Sequence, residues 1–297
     1  GSAPALVLSR AIVRDIASGK EAARLMSVMT MIFTAAPVIA PTVGALLVSQ
    51  FGWRAPFTFI VALGVCITIA VQRFIWETHT PRSGQHPVRQ LVDSFKEFFS
   101  HGQSVFGLLL IVLPPAGFLS MIAVAAALVV EIYGFTITQF GLIFATAGIS
   151  ILIGSAFNRW LVGRFDSIQA IAVGIVLYGL SSTALLIMAW MNDGPFVLLW
   201  GSICLFMFTV AIVMPNATVI ALDPLPKIAG VASSIIGTLQ NIFGACGALL
   251  AATLYDGTVR NSIIIIGSVG LLVVAVFALK PLICPIIVHH PDELARD

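Results

Sequence analysis

The sequence predicts an all-α membrane protein, and three observations carry that prediction. Of 297 residues, 59% are hydrophobic and 9% charged, with a mean hydropathy of +1.06, whereas an ordinary soluble domain carries about 25% charged residues. The apolar stretches run to roughly 20 residues or more, the length an α-helix needs to cross about 30 Å of hydrocarbon. They do not alternate polar and apolar residues, as the strands of a membrane β-barrel do.

In chain order, about eight complete spans are expected, at 25–50, 55–76, 105–130, 138–158, 168–191, 196–222, 228–254 and 261–283. A ninth, PALVLSRAI at 4–12, reads as truncated. The chain opens on Gly1 without the basic start and cleavage site of a signal peptide, and the natural protein is expected to begin upstream. The first span holds APVIAPTVG at 36–44, with Pro37 and Pro41 four residues apart. In water an interior proline costs about 3 kcal/mol. In a membrane helix, neighbouring helices satisfy the freed carbonyls, and small residues let backbones approach closely. Ala36, Ala40 and Gly44 recur every four residues and form such a face. They serve either plain packing or bending and contact between domains. The third span carries Pro114 and Pro115, and the sixth Pro215.

The longest hydrophilic stretch, Glu77 to Gln103, separates two spans and a fragment from six further spans. Three parts follow: 1–80 as half of a bundle, 81–103 as a linker, and 104–297 as a six-helix bundle with its tail. Within the linker, VRQLVDSFKEFF places Val88, Leu91, Val92, Phe95 and Phe99 on one helical face and Arg89, Asp93, Lys96 and Glu97 elsewhere. That pattern suits a helix lying in the membrane interface.

Lys and Arg set the orientation, because cytoplasmic loops hold the excess of them. With 10–24 in the cytoplasm, that side holds Arg10, Arg14, Lys20, Arg24, Arg73, Arg82, Arg89, Lys96, Arg159, Arg164, Lys227, Lys280 and Arg296, leaving Arg54 and Arg260 for the other. The C-terminus is then cytoplasmic. The net charge of +2 says almost nothing about partners.

A weak repeat appears: GALL at 44–47 and 247–250, preceded by Asp15 and Asp223 and followed by Arg54 and Arg260. If real, the copies share orientation, as in transporters built from two parallel halves.

LVLSRAIVRDIASGKEAARLMSVM, then APVIAPTVGALL and FGWRAPF, resembles the bicyclomycin-resistance (Bcr/CflA) type of drug/proton antiporter in the major facilitator superfamily. The run MPNATVIALDPLPKIAGVASSIIGTLQNIFGACGALL is similar to the tenth and eleventh helices of that group. The resemblance covers nearly the whole chain and implies a partial major facilitator helical bundle with residue 1 inside the fourth of twelve helices. By the same resemblance, Ala36, Pro37, Ala40, Pro41 and Gly44 match the antiporter motif of the fifth helix, with Ala40 and Ala45 standing where many members have glycine.

Arg10, Arg14 and Asp15 are candidates for charge contacts that break and reform as two halves rock. Arg10 lies inside the apolar stretch, where an unpaired cation is expensive. GSAFNRWLVGRFD at 154–166 resembles a degenerate second copy of the superfamily's loop between helices two and three, adding Arg159 and Arg164, with Asn158 in place of the usual acid. The same segment also reads as a well-anchored cytoplasmic turn.

No Asp, Glu or His lies at the centre of a span; Asp15, Glu131 and Asp223 fall near span ends. The family places an acid in its first helix, which would precede residue 1. Glu131 is either part of an outward gate or a solvated interfacial acid. Cavity candidates are polar or aromatic residues in interrupted spans: Met29, Thr34, Phe118, Met121, Asn216, Gln240 and Asn241. Met and Phe suit varied apolar drugs because they repack without fixed polar demands, although most serve packing or lipid contact. The three amides serve inter-helix bonds equally well.

Scattered Cys66, Cys204, Cys246 and Cys284, with histidines only in the loop and tail, form no metal site, and there is no phosphate-binding loop. The expectation is therefore a monomeric, non-enzymatic multi-pass exporter of amphipathic antibiotics in the bacterial inner membrane. It would use the proton gradient rather than a cofactor and take small-molecule drugs, protons and lipid, not nucleic acid, as partners. The alternative is a facilitator for a sugar or metabolite.

Overall fold

The computed structural model describes residues 46–74, 87–191, 194–225 and 228–284, together with 25, 40, 43 and 44. The described residues are helical throughout, joined by short turns. They contain α1 (Ala55–Phe74), α2 (Pro87–Ser100), α3 (Gly102–Ala126), α4 (Ile137–Val162), α5 (Ser167–Met191), α6 (Phe196–Leu222), α7 (Ala229–Leu254), α8 (Val259–Ala278) and α9 (Lys280–Ile283). Seven of these helices are long and apolar enough to cross a membrane, and α3 runs on through a wider π-turn, Ala127–Ile132, to make a span of 31 residues. They correspond to seven of the eight expected spans. The eighth, 25–50, falls mostly outside the described residues.

The chain forms two compact units, 1–84 with 135–146 and 85–134 with 147–297.

In the first unit, a helical stretch at 46–51 stops at Gly52. Its φ of +82° belongs to the left-handed region that glycine enters without a Cβ penalty. The Gly52 amide donates to Val48 O at 2.9 Å, and α1 starts after a turn in which Ala55 N donates to Gly52 O at 3.1 Å. The guanidinium of Arg54 lies 4.1 Å from the ring centroid of Trp53. The α4 start is a reciprocal capping box: Thr136 N donates to Gln139 Oε1 at 2.8 Å and Gln139 N to Thr136 Oγ1 at 3.2 Å.

In the second unit, α3 is the central helix and packs on α7, α6 and α8, while α5 packs on α8 and α6. Phe106, Leu110, Ile111 and Met121 of α3 are fully buried, as are Tyr178 of α5 and Phe206 of α6. Lipid is as apolar as leucine, so association rests on fit rather than on expulsion of water. The α3–α7 seam shows this best. A Cβ at Gly247 would fall on the Ala116 carbonyl oxygen and lie 2.6 Å from its Cα, so only glycine permits this approach. Pro114 and Pro115 sit within α3, with Pro114 buried among the neighbours that make such residues tolerable. Helix α2 packs on α7 and α3.

Candidate functional site

Alternating spans give the second unit two ends. At the end that carries α2, polar side chains join helices directly. Gln103, in the first turn of α3 and 6% exposed, donates from Nε2 to Ile220 O of α6 at 3.1 Å. Asn216 of α6 donates from Nδ2 to Asn158 Oδ1 of α4 at 2.6 Å and to its own Ile212 O at 2.7 Å. Below this pair, Leu161, Ala170 and Ile212 form a core flanked by Phe157 and Phe208. Arg159 and Arg164 are exposed, and the Arg164 guanidinium lies 4.5 Å from the Trp160 ring centroid.

The opposite end is built from ionisable and phenolic groups. Tyr133, just past the π-turn, donates from its hydroxyl to Gly194 O at 3.0 Å, and its ring meets Phe196 edge-on at 5.0 Å. Exposed Glu131 stands against Tyr255 in the α7–α8 connection. Burial, then the charges of Glu131 and Asp256, raise the Tyr255 phenol above its ordinary value. The Asp256 carboxylate accepts from Thr258 Oγ1 at 2.6 Å, Thr258 N at 3.0 Å and Asn261 Nδ2 at 3.0 Å. The Thr258 bonds, with Arg260 contributing, hold its pKa below the ordinary carboxylate value. Tyr133, Met188, Gly194, Leu199, Arg260 and Ile263 line a cleft of about 250 Å³ here.

A third feature runs along α7. One face packs on α3 through Gly247 and buries Ala232, Ile236 and Ala251. Another exposes Ser233, Ser234, Thr238 and Asn241, with Gln240 half-buried beside them. Two of these satisfy themselves locally, Ser234 Oγ donating to Gly230 O at 3.1 Å and Asn241 Nδ2 to Gly237 O at 2.7 Å.

The predicted site residues therefore fall in different places. Arg10, Arg14, Asp15, Met29, Thr34, Ala36, Pro37 and Pro41 lie outside the described residues. Ala40 and Gly44 are helical, and among the described residues no atom lies within 4 Å of a Cβ built on Gly44. Met121, 1% exposed, and Asn216, 3% exposed, are enclosed in the bundle, so neither lines an opening in this conformation. Phe118 and Gln240 are half-buried, and Asn241 is exposed. Sequence reasoning missed Gln103, Tyr133 and Tyr255. The one available signal was a polar Gln within the first turn of an apolar span.

The family model described as Major Facilitator Superfamily matches residues 1–248 and again 116–283. The chain belongs to this superfamily. Among its relatives is a bicyclomycin resistance protein homolog of Haemophilus influenzae, 27% identical over 259 residues, which is 86% of this chain and 64% of that protein. An uncharacterized MFS-type transporter YdgK of Bacillus subtilis is 28% identical over 251 residues, 81% of this chain and 60% of that protein. Multidrug resistance protein D of Escherichia coli is 26% identical over 272 residues, 90% of this chain and 67% of that protein. The chain thus spans about two thirds of their length. A crystal structure of a bacterial homologue of the iron transporter ferroportin in an inward-facing state superposes with a TM-score of 0.58 at 18% identity, over 90% of this chain and 65% of that one, and shares the fold alone. The superfamily and the apolar helices together make this a multi-pass membrane protein.

Proposed function

We propose that the chain is the larger part of a proton-coupled exporter of amphipathic antibiotics in the bacterial inner membrane, working as a monomer with its C-terminus in the cytoplasm. The observation that carries this reading is the exposed polar face of α7. Four polar side chains turned outward on a membrane helix, two of them only locally satisfied, fit a water-filled path better than lipid. Relatives named for bicyclomycin and multidrug resistance supply the substrate class.

In this reading 1–80 contributes one bundle, 81–103 the linker and 104–297 the other. Phe118, Gln240 and Asn241 line the path with Met29 and Thr34. Met121 and Asn216 join them only if rocking opens the seams that now enclose them. The motif Ala36, Pro37, Ala40, Pro41 and Gly44 bends its span at the contact between halves, and Arg10, Arg14, Asp15, Arg159 and Arg164 exchange partners as the halves rock. The driving ion is the proton, with no resident cofactor.

Drug susceptibility of an efflux-deficient bacterium producing the full-length protein tests this, measured with and without a protonophore across bicyclomycin, chloramphenicol and cationic dyes. Protection that the protonophore abolishes, and that Asn241→Leu weakens for some compounds more than others, is expected. No protection at confirmed membrane expression sinks drug export and leaves a sugar or metabolite facilitator, which the same fold serves.

A further inference from the structure

Ser100 to Gln103 join α2 to α3, and three different elements hold them. Within α2, Ser100 Oγ donates to Glu97 O at 2.7 Å, and His101 Nδ1 lies 2.9 Å from the same carbonyl. Gln103 reaches across to Ile220 O at the end of α6. Gly102, the first residue of α3, meets α9, because the Ile283 carbonyl oxygen stands against the position that a Cβ on Gly102 would take. This contact is backbone to backbone, so a side chain at 102 pushes α9 away. His101 is extended, with φ −95° and ψ 110°, and gives α3 no side-chain cap. The first turn of a helix is its positive end, where a carbonyl oxygen is well placed.

The element that supplies this contact is a slight one. After α8 ends at Ala278 the chain turns at Leu279, and α9 has only four residues with Pro281 in its first turn. Ile283 N donates to Leu279 O at 3.1 Å and Cys284 N to Lys280 O at 2.8 Å. Pro281 and Leu282 are exposed and Ile283 is half-buried, which leaves Cys284, 3% exposed, as the buried side chain of this segment. A short helix seated by one buried side chain and one backbone contact belongs to the low-stability elements that open without global unfolding. Its seat does not. Gln103, Ser104 and Phe106 of α3 are buried, and the Phe106 ring centroid lies 6.3 Å from that of Phe277 in the last turn of α8.

We propose that Lys280–Cys284 is a releasable wedge at the joint between α2 and α3. Seated, it holds the first turn of α3 closed, so that the chain bends at His101 alone. Released, it lets that turn open and gives α2 a longer tether. The reach gained bears on movement between bundles only under the proposed function, in which 81–103 links them. The wedge itself stands without that reading.

Cys284 reports on the seat directly in full-length protein with Cys66, Cys204 and Cys246 replaced by Ala. Maleimide labelling of Cys284 and hydrogen exchange at 102–106 are read together, with exchange in α5 as the measure of an intact bundle. In this background Cys284 is expected to label to completion while α5 stays protected. Gly102→Ala sets a methyl group against the Ile283 carbonyl and should speed that labelling several-fold. Cys284→Lys puts a charge in the buried position and should raise exchange at 102–106 several-fold from the other side, because docking is reciprocal. Gly201→Ala, at a position where no atom of the described residues lies within 4 Å of an added Cβ, should change neither readout. A Cys284 that labels only when α5 opens would make the segment part of the core. Labelling that ignores Gly102→Ala, or a 102–106 stretch still protected in Cys284→Lys, would show the two sides uncoupled. Any one of these results overturns the proposal.

Discussion

At the α2 end of the second unit, helices are joined by neutral amides: Gln103 to the Ile220 carbonyl and Asn216 to Asn158. At the other end the polar contacts run through Glu131, Tyr133, Tyr255 and Asp256. An amide pair holds with the same strength at any pH. A carboxylate and a phenol do not, because each contact depends on which side holds the proton. The amide bonds at the α2 end are therefore indifferent to protonation, whereas the contacts of Tyr255 and Asp256 at the other end respond to it. Asn158 stands at the centre of that contrast, since by resemblance an acid is usual in its place.

Both ends depend on helices that meet at the α3–α7 seam, so the largest expected effect removes the contrast altogether. Gly247→Val drives two methyl groups into the Ala116 backbone, costs about 1–3 kcal/mol or more, and should lower the melting temperature in detergent at every pH. An unchanged melting temperature would show that the seam is looser than described. Next comes the neutral end. Asn216→Leu leaves Asn158 without its partner and should cost about 0.6–1.7 kcal/mol, the range of inter-helix hydrogen bonds in membranes. Adding Asn158→Leu should recover part of that loss. Additive losses in this double-mutant cycle would mean that the two amides do not act as a pair.

The spans were legible because hydropathy needs no tertiary information, and seven appear where the apolar runs place them. The pairing of Asn158 with Asn216 was not, since 58 residues separate them and each carried its own plausible role, one in a loop motif and one in a cavity. Buried Phe98 escaped for a different reason. It borders the apolar arc of α2, and periodicity alone does not say which edge of an apolar arc docks on protein and which meets lipid. The GALL repeat placed Gly247 on a par with Gly44, yet among the described residues a close partner stands only against Gly247. Tyr255 was invisible because a Tyr at a span end usually marks an interface, and its meaning here comes from the fold bringing Glu131 to it.

The smaller effects lie at the ionisable end. Tyr133→Phe removes the bond to Gly194 O from a half-buried site and should cost about 0.5 kcal/mol, near the lower limit for a hydrogen bond. A full helix turn of lost hydrogen-exchange protection around 194–198 would instead mean that Tyr133 organises the α6 start. The pH profile is subtler. Asp256 has its pKa lowered from 3.8, so its stabilising contribution is present above that value and is lost as pH falls through the lower folded value. Tyr255 has its pKa raised from 10.0, so the folded state resists its ionisation and stability declines as pH rises beyond 10. Melting temperature should thus carry a small acid-side loss that Asp256→Asn abolishes and an alkaline-side loss that Tyr255→Phe abolishes. Asn216→Leu should shift the whole curve and leave its shape alone. If that amide variant changes the shape, the Asn158–Asn216 pair is coupled to a titrating group, and the contrast between amide contacts and proton-responsive ones fails.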